Sequence, residues 1–200
     1  MDNRARQPFS VLIASLMMVF AFTGCGLQSI PQSKNNVDAS LAEITNQYKR
    51  RADLIPNLVE TVKGYAKQEQ ETLTKVVEAR AKATSINIDP SKTTPEQLQK
   101  FQAAQGELSQ ALGRLMVVSE QYPDLKSNQN FRDLQAQLEG TENRITVARQ
   151  RYIESIKDFN NLVTVFPTSL TNSIVYHYPA MPQWGGEVTE QEKAAPKVSF

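Results

Sequence analysis

Three long stretches of apolar side chains, repeating every three or four residues, constrain the fold of this chain most strongly. The first begins near Val37 and continues, less regularly, to about Ser85, and the others run over residues 95–122 and 127–166. Each repeat places one apolar stripe along an α-helix. Because long helices joined by short loops pack side by side, the pattern predicts an all-α fold, an antiparallel bundle of long helices. Residues 167–200 contain several Pro and Gly and predict a short helix and an irregular tail.

Local signals predict where these helices begin and bend. Thr94 and Gln97 have the spacing of a capping box, in which each side chain binds the other's backbone N–H. Ser127 is the predicted cap of the third stretch. Pro56 lies inside the first stripe, and a proline in a helix interior lacks a backbone donor and costs about 3 kcal/mol. We therefore expect a kink, or two helices end to end, near residues 52–56.

The first 24 residues have the layout of an export signal. Arg4 and Arg6 precede residues 9–22, which carry no charge and are mostly apolar. A positive start followed by an apolar stretch of about 7–15 residues is typical of a secretory signal peptide. A membrane span needs about 20 apolar residues, so this stretch is short for one.

The signal ends in Phe22-Thr-Gly-Cys25, which resembles the lipobox of bacterial lipoproteins, although Leu is more usual than Phe at its first position. We therefore predict a signal peptide over residues 1–24, lipidation of the Cys25 thiol by a diacylglycerol with acyl chains such as palmitate, and a polar tether over residues 25–36. The resemblance implies an extracytoplasmic, lipid-anchored location in the bacterial cell envelope. Gly26, rather than Asp, after the cysteine is similar to an outer-membrane signal of two-membrane bacteria. An uncleaved single-pass membrane anchor is the alternative.

Composition excludes several classes of function. The predicted mature chain has 20 basic and 20 acidic residues, which leaves no basic excess for binding nucleic acid. Cys25 is the single cysteine and His177 the single histidine, so neither a disulfide nor a Cys/His zinc site is predicted. No cofactor or metal is expected.

Residues 50–66, with the sequence RRADLIPNLVETVKGYA, closely resemble the signature segment of the LemA family. Residues 77–81, 142–145, 148–152, 160–163, 166–167 and 195–200 are similar to further segments of that family. The resemblance covers nearly all of residues 37–200 and implies a bundle of about four helices. It implies no reaction, because no catalytic residue set is established for the family. LemA-like proteins are often encoded beside membrane proteins with a TPM domain, which implies a partner of that kind. The lipobox departs from the family, whose members usually begin with a longer apolar anchor.

The polar residues of the signature segment are Arg50, Arg51, Asp53 and Asn57, and they surround Pro56. One hypothesis makes Asp53 a carboxylate held by arginine in an active site. We favour an ion pair near the expected kink, because no second carboxylate or base accompanies Asp53. A further hypothesis is a buried amide network of Asn57, Asn160 and Asn161 that fixes helix register.

The sequence thus predicts a non-catalytic, membrane-tethered helical adaptor of the bacterial envelope. An envelope hydrolase that uses Asp53 and nearby polar residues is the alternative. A third possibility is a pore-like or shape-sensing oligomer, which a large exposed apolar patch would indicate. The sequence leaves the oligomeric state and the partner open.

Overall fold

The computed structural model describes the backbone of residues 7–184 and the side chains of residues 27–184. Every regular element within residues 7–184 is helical, which confirms the predicted all-α bundle. The elements are α1 (Gln7–Tyr65), α2 (Gln70–Ser85), α3 (Pro95–Ser119), α4 (Pro123–Ser127), α5 (Gln129–Thr164), α6 (Thr168–Thr171) and a π-helical turn (Asn172–Tyr176). The four long helices are α1, α2, α3 and α5.

The described chain divides into two compact units. The terminal unit contains residues 7–38 and 153–184, and the central unit contains residues 39–152. Within the central unit, hydrogen bonds join Tyr48 to Arg149 and Arg51 to Glu142, so α1 and α5 run antiparallel. Helices α2 and α3 are also antiparallel neighbours. Their apolar stripes meet in a core that includes Ile55, Leu58, Val62, Val76, Leu108, Leu115, Leu125 and Phe131.

Helix α1 passes through Pro56 without a break and ends at Tyr65. The expectation of two helices end to end at residues 52–56 is therefore wrong. The chain turns at residues 66–69 instead, where the backbone N–H of Glu69 donates to the carbonyl of Ala66 at 3.1 Å. The weaker periodicity after Tyr65 was the signal for this turn.

The predicted tether also belongs to α1. Residues 25–36 are helical, and within them Ile30 and Ser33 are buried. The helical conformation of these residues was not predicted; an apolar stripe begins at Ile30 and continues at Val37. The predicted lipid on Cys25 concerns a side chain outside the described residues and stays a prediction.

The capping predictions had different outcomes. Thr94 and Gln97 form the predicted capping box at the start of α3. At the start of α5, the backbone N–H of Phe131 donates to the side chain of Asn128 at 3.0 Å. Asn128 therefore caps this helix in place of Ser127, whose hydroxyl donates to the carbonyl of Asp124 within the short helix α4.

Candidate functional site

Arg51 carries the only charged side chain that is buried within residues 27–184, with 2% of its surface exposed. Its Nη1 donates to the hydroxyl of Ser109 at 2.8 Å and to the carboxylate of Glu142 at 3.0 Å. Its Nη2 donates to the side-chain oxygen of Gln105 at 2.8 Å and to the carbonyl oxygen of Gln105 at 3.2 Å. We call these four residues the Arg51 cluster. The planar guanidinium fits this role because it presents several N–H groups in a fixed geometry.

The Arg51 cluster ties together all four long helices of the central unit. Arg51 lies on α1, Gln105 and Ser109 on α3, and Glu142 on α5. The amide nitrogen of Gln105 also donates to the carbonyl of Ala83 on α2, at 3.4 Å. A buried, hydrogen-bonded group of this kind fixes the register of neighbouring helices, because sliding any one of them breaks several bonds.

Tyr48 packs against the guanidinium on the same face of α1. The centre of its ring lies 5.0 Å from Cζ of Arg51, which is within the range of a cation–π contact. The rings of Tyr48 and Phe101 of α3 pack edge to face with their centres 5.3 Å apart, and the hydroxyl of Tyr48 accepts a hydrogen bond from Arg149 of α5 at 3.2 Å. The Nε of Arg51 is buried without a hydrogen-bond partner among the described groups. Packing on the ring of Tyr48 is thus one of the interactions that hold the guanidinium in place.

The expected ion pair of Asp53 is not formed among residues 27–184; Arg51 pairs with Glu142 instead. Two residues apart on a helix, side chains point in different directions, so Arg51 and Asp53 do not face each other. Asp53 is exposed, as are Arg50, Pro56 and Asn57. The signature segment therefore divides into a buried face containing Arg51 and an exposed face containing the other four.

The sequence contains a signal for the partners of Arg51. Thr141 and Glu142 interrupt the apolar stripe of α5 for one turn, and Thr141 is completely buried. Gln105 is buried beside the stripe residues Ala104 and Leu108 of α3. Polar residues at core positions of different helices, with an arginine on a third, indicate one buried polar group. The sequence alone does not give the helix register that brings them together.

The hypothesis of a network of three asparagines is also wrong. Asn57 and Asn161 are exposed. In the terminal unit, Asn160 donates to the carbonyl of Met181 at 2.8 Å and accepts from its N–H at 2.7 Å. These two bonds fix the chain that follows the last helical turn. A side-chain amide pairs well with a backbone amide because each has one donor and one acceptor direction in the same plane.

Pro56 is accommodated by Arg80 of α2. A proline at position 56 has no N–H to donate to the carbonyl of Ala52, four residues earlier. The Nε of Arg80 donates to that carbonyl at 2.8 Å. A side chain from the neighbouring helix thus replaces the missing backbone bond, which explains how α1 continues through a proline.

We expect Arg80→Ala to lower the free energy of unfolding by about 1–3 kcal/mol, because it leaves the carbonyl of Ala52 without this partner. In a Pro56→Ala background, the new backbone N–H can bond Ala52, and the cost of Arg80→Ala should fall by about 1 kcal/mol. A double-mutant cycle by urea unfolding measures this coupling. Lys82→Ala is the control, since Lys82 forms an exposed pair with Glu107 and should cost less than about 1 kcal/mol in both backgrounds. An equal cost of Arg80→Ala in both backgrounds would contradict this explanation of Pro56.

Two grooves of the central unit border the Arg51 cluster. One, of about 330 Å³, has a largely apolar wall that includes Leu112, Met116 and Leu138 beside Arg51. The other, of about 400 Å³, contains Asp53 and Arg80 in its wall. Within the described residues, no three acidic, histidine or cysteine side chains are grouped as metal ligands. Neither groove therefore contains a group of this kind among the described residues.

Comparison with known protein families matches residues 40–200 to the LemA family. The matched residues include the whole Arg51 cluster and most of the chain. The chain belongs to the LemA family. The resemblance of the signature segment is thereby confirmed.

Several curated proteins are similar to this LemA family member, over most of its length or over part of it. Protein LemA of Metamycoplasma hominis is 25% identical over 178 residues, which are 84% of this chain and 78% of that protein. Magnetosome protein MamQ 2 of Paramagnetospirillum magneticum is 24% identical over 79% of this chain. The chain spans 65% of the length of MamQ 2. Magnetosome protein MamQ of Magnetospirillum gryphiswaldense is 34% identical over 64 residues, 32% of this chain and 24% of that protein.

Between residues 27 and 184, no helix is both long enough and apolar enough to cross a membrane.

Proposed function

We propose that this LemA family member is a non-catalytic adaptor of the bacterial envelope, held to a membrane by lipid on Cys25. The observation that carries the proposal is the Arg51 cluster: the one buried charge of the described chain binds groups of the bundle itself. Its guanidinium already makes four hydrogen bonds, to Gln105, Ser109 and Glu142. A guanidinium bound in this way stabilises the packing of the helices, as in a protein whose role is structural.

The exposed face of the signature segment is the surface we propose for the partner. Arg50, Asp53, Asn57 and Glu60 follow one another at intervals of three or four residues and are all exposed. They therefore form one polar strip along α1, on the side opposite the core. A strip with both charges and an amide suits a polar, reversible protein interface. The partner class is an envelope membrane protein with a TPM domain, as the family resemblance implies.

Site-specific photo-crosslinking in intact cells tests this surface. A photoreactive phenylalanine analogue at Asn57 should give one discrete crosslinked product that contains the TPM-domain protein. The same analogue at Val147, an exposed residue of α5, is the matched control and should not give that product. Absence of the product at Asn57, or an equal amount at Val147, would contradict the proposed surface.

The hydrolase alternative depends on Asp53, which lines the larger of the two grooves. We expect Asp53→Asn to leave the fold intact, because Asp53 is exposed and a surface substitution usually changes stability by less than about 0.5 kcal/mol. Purified wild type and Asp53→Asn should hydrolyse a panel of ester, peptide and phosphoester substrates equally poorly. Turnover by wild type that Asp53→Asn abolishes would replace the adaptor proposal with the hydrolase.

A further inference from the structure

An exposed apolar surface follows the end of α5 in the terminal unit. Phe166 is 74% exposed and Ile174 is 66% exposed, and their neighbours in this segment are at least half exposed. We call this surface the apolar turn; its residues are Val165, Phe166, Leu170, Ile174 and Val175. Large apolar side chains clustered on a surface indicate a contact with a partner or a membrane.

The interior of the same segment is polar. Its buried residues are Thr171 and Asn172. Asn172 donates to the carbonyls of Val163 and Tyr178, at 3.3 and 2.9 Å, and accepts from the N–H of Tyr178 at 3.0 Å. These bonds hold the turn in a conformation that directs its apolar side chains outward. In most water-soluble proteins the large apolar side chains are buried and the polar ones exposed, and in this segment the reverse is found.

The sequence around the apolar turn lacks formal charge. No Asp, Glu, Lys or Arg occurs between Asp158 and Glu187, and none occurs between Arg6 and Lys34. Each of the two chain segments of the terminal unit therefore contains a long run without Asp, Glu, Lys or Arg. Charged side chains are costly inside a bilayer, by about 2.5–3.5 kcal/mol each at the centre of a helix, so a surface that contacts lipid excludes them.

A hydrogen bond places the apolar turn beside the predicted anchor. The hydroxyl of Tyr176 donates to the carbonyl oxygen of Leu27 at 2.7 Å. Leu27 is itself 45% exposed, and it follows Cys25 by two residues in the sequence. Tyr176 and Tyr178 stack with ring centres 5.8 Å apart. Tyrosines are enriched where a membrane protein meets the lipid headgroups, because they combine an apolar ring with a polar hydroxyl.

We propose that the apolar turn is a second membrane contact, which inserts into the interfacial region of the bilayer that holds the anchor. The inference rests on the proposed membrane attachment and adds a defined orientation to it. A lipid bilayer is favoured over a second copy of the chain for two reasons. The apolar turn is uncharged, and its neighbour Tyr176 is hydrogen-bonded to Leu27, two residues after Cys25. Insertion of several apolar side chains together with an acyl anchor gives more durable attachment than either alone.

Fluorescence quenching by brominated lipids tests the contact in the full-length chain. Trp184, the single tryptophan, is replaced by Phe, and one new tryptophan is introduced as Phe166→Trp, Ile174→Trp or Val117→Trp. Each protein is reconstituted into vesicles of phosphatidylcholine and phosphatidylglycerol, with and without bromine on the acyl chains. Val117 is the matched control because it is 68% exposed but belongs to the central unit. Circular dichroism checks that each variant is folded.

The tryptophans at positions 166 and 174 should lose most of their emission in brominated vesicles and shift to the blue, and the one at 117 should do neither. Flotation of the same vesicles on a density gradient reports attachment separately. A chain that floats but shows no quenching at 166 and 174, or equal quenching at 117, would overturn the membrane contact while leaving the anchor in place. A chain that does not float would contradict the proposed attachment, and the contact with it.

Discussion

Replacement of Arg51 by Ala is expected to lower the free energy of unfolding by about 2–4 kcal/mol, because it leaves a buried polar partner unpaired and opens a cavity. Gln105 is left buried with an unpaired side-chain oxygen, which costs about 1–3 kcal/mol. The ring of Tyr48 loses its cation–π partner and borders a new cavity. Glu142 adds less to the cost, since its side chain is 51% exposed and water can solvate it. Urea unfolding followed by circular dichroism measures the loss as a lower midpoint.

Two further substitutions separate charge from geometry. Arg51→Lys keeps the charge but cannot place donors on Ser109, Gln105 and Glu142 together, so we expect it to recover only part of the stability. Arg50→Ala is the control, because Arg50 is the exposed neighbour and should change the free energy of unfolding by less than about 0.5 kcal/mol. Equal losses from Arg51→Ala and Arg50→Ala would show that the cluster does not stabilise the bundle.

Replacement of Cys25 by Ser is expected to abolish incorporation of a fatty-acid analogue into the protein in cells. The thiol is the acceptor of the lipid in the proposed anchor, and a serine hydroxyl does not replace it. Each buried CH₂ of an acyl chain contributes about 0.8 kcal/mol, so the loss of two or three chains should also weaken membrane attachment strongly. Labelling followed by electrophoresis measures the first effect, and alkaline extraction of membranes measures the second.

Two variants act as controls for the proposed anchor. Gln28→Ala lies outside the Phe22–Cys25 motif and should leave labelling unchanged. Phe22→Leu restores the usual first residue of a lipobox and should increase the labelled fraction. Labelling of Cys25→Ser at the level of wild type would contradict lipidation at this residue.

Local patterns in the sequence predicted most of the helices of this chain. The stripe from Leu98 to Leu115 and the capping box at Thr94 located α3 to within a few residues. Such signals work because they depend on side chains close together in sequence, whose geometry a helix fixes. The expectation of two helices end to end was wrong at Pro56, because Arg80 from another helix binds the carbonyl that the proline leaves without a partner.

The buried cluster was beyond local reasoning for a related reason. Arg51 and Glu142 are 91 positions apart, and only the register of α1 against α5 brings them together. Asp53, which is near Arg51 in sequence, lies on the opposite face of the helix and is exposed. The apolar turn could not be predicted from the sequence, because Asn172 is buried and Ile174 is exposed, whereas apolar residues are ordinarily assigned to a core.

The most direct test of the proposed anchored adaptor is the mass of the N-terminal peptide of the protein purified from cell membranes. A lipid-anchored chain should begin at Cys25, with that residue carrying a diacylglycerol and therefore a large added mass. An N-terminal peptide that begins at Met1, with residues 9–22 retained and Cys25 unmodified, would contradict the lipid anchor and indicate the single-pass alternative.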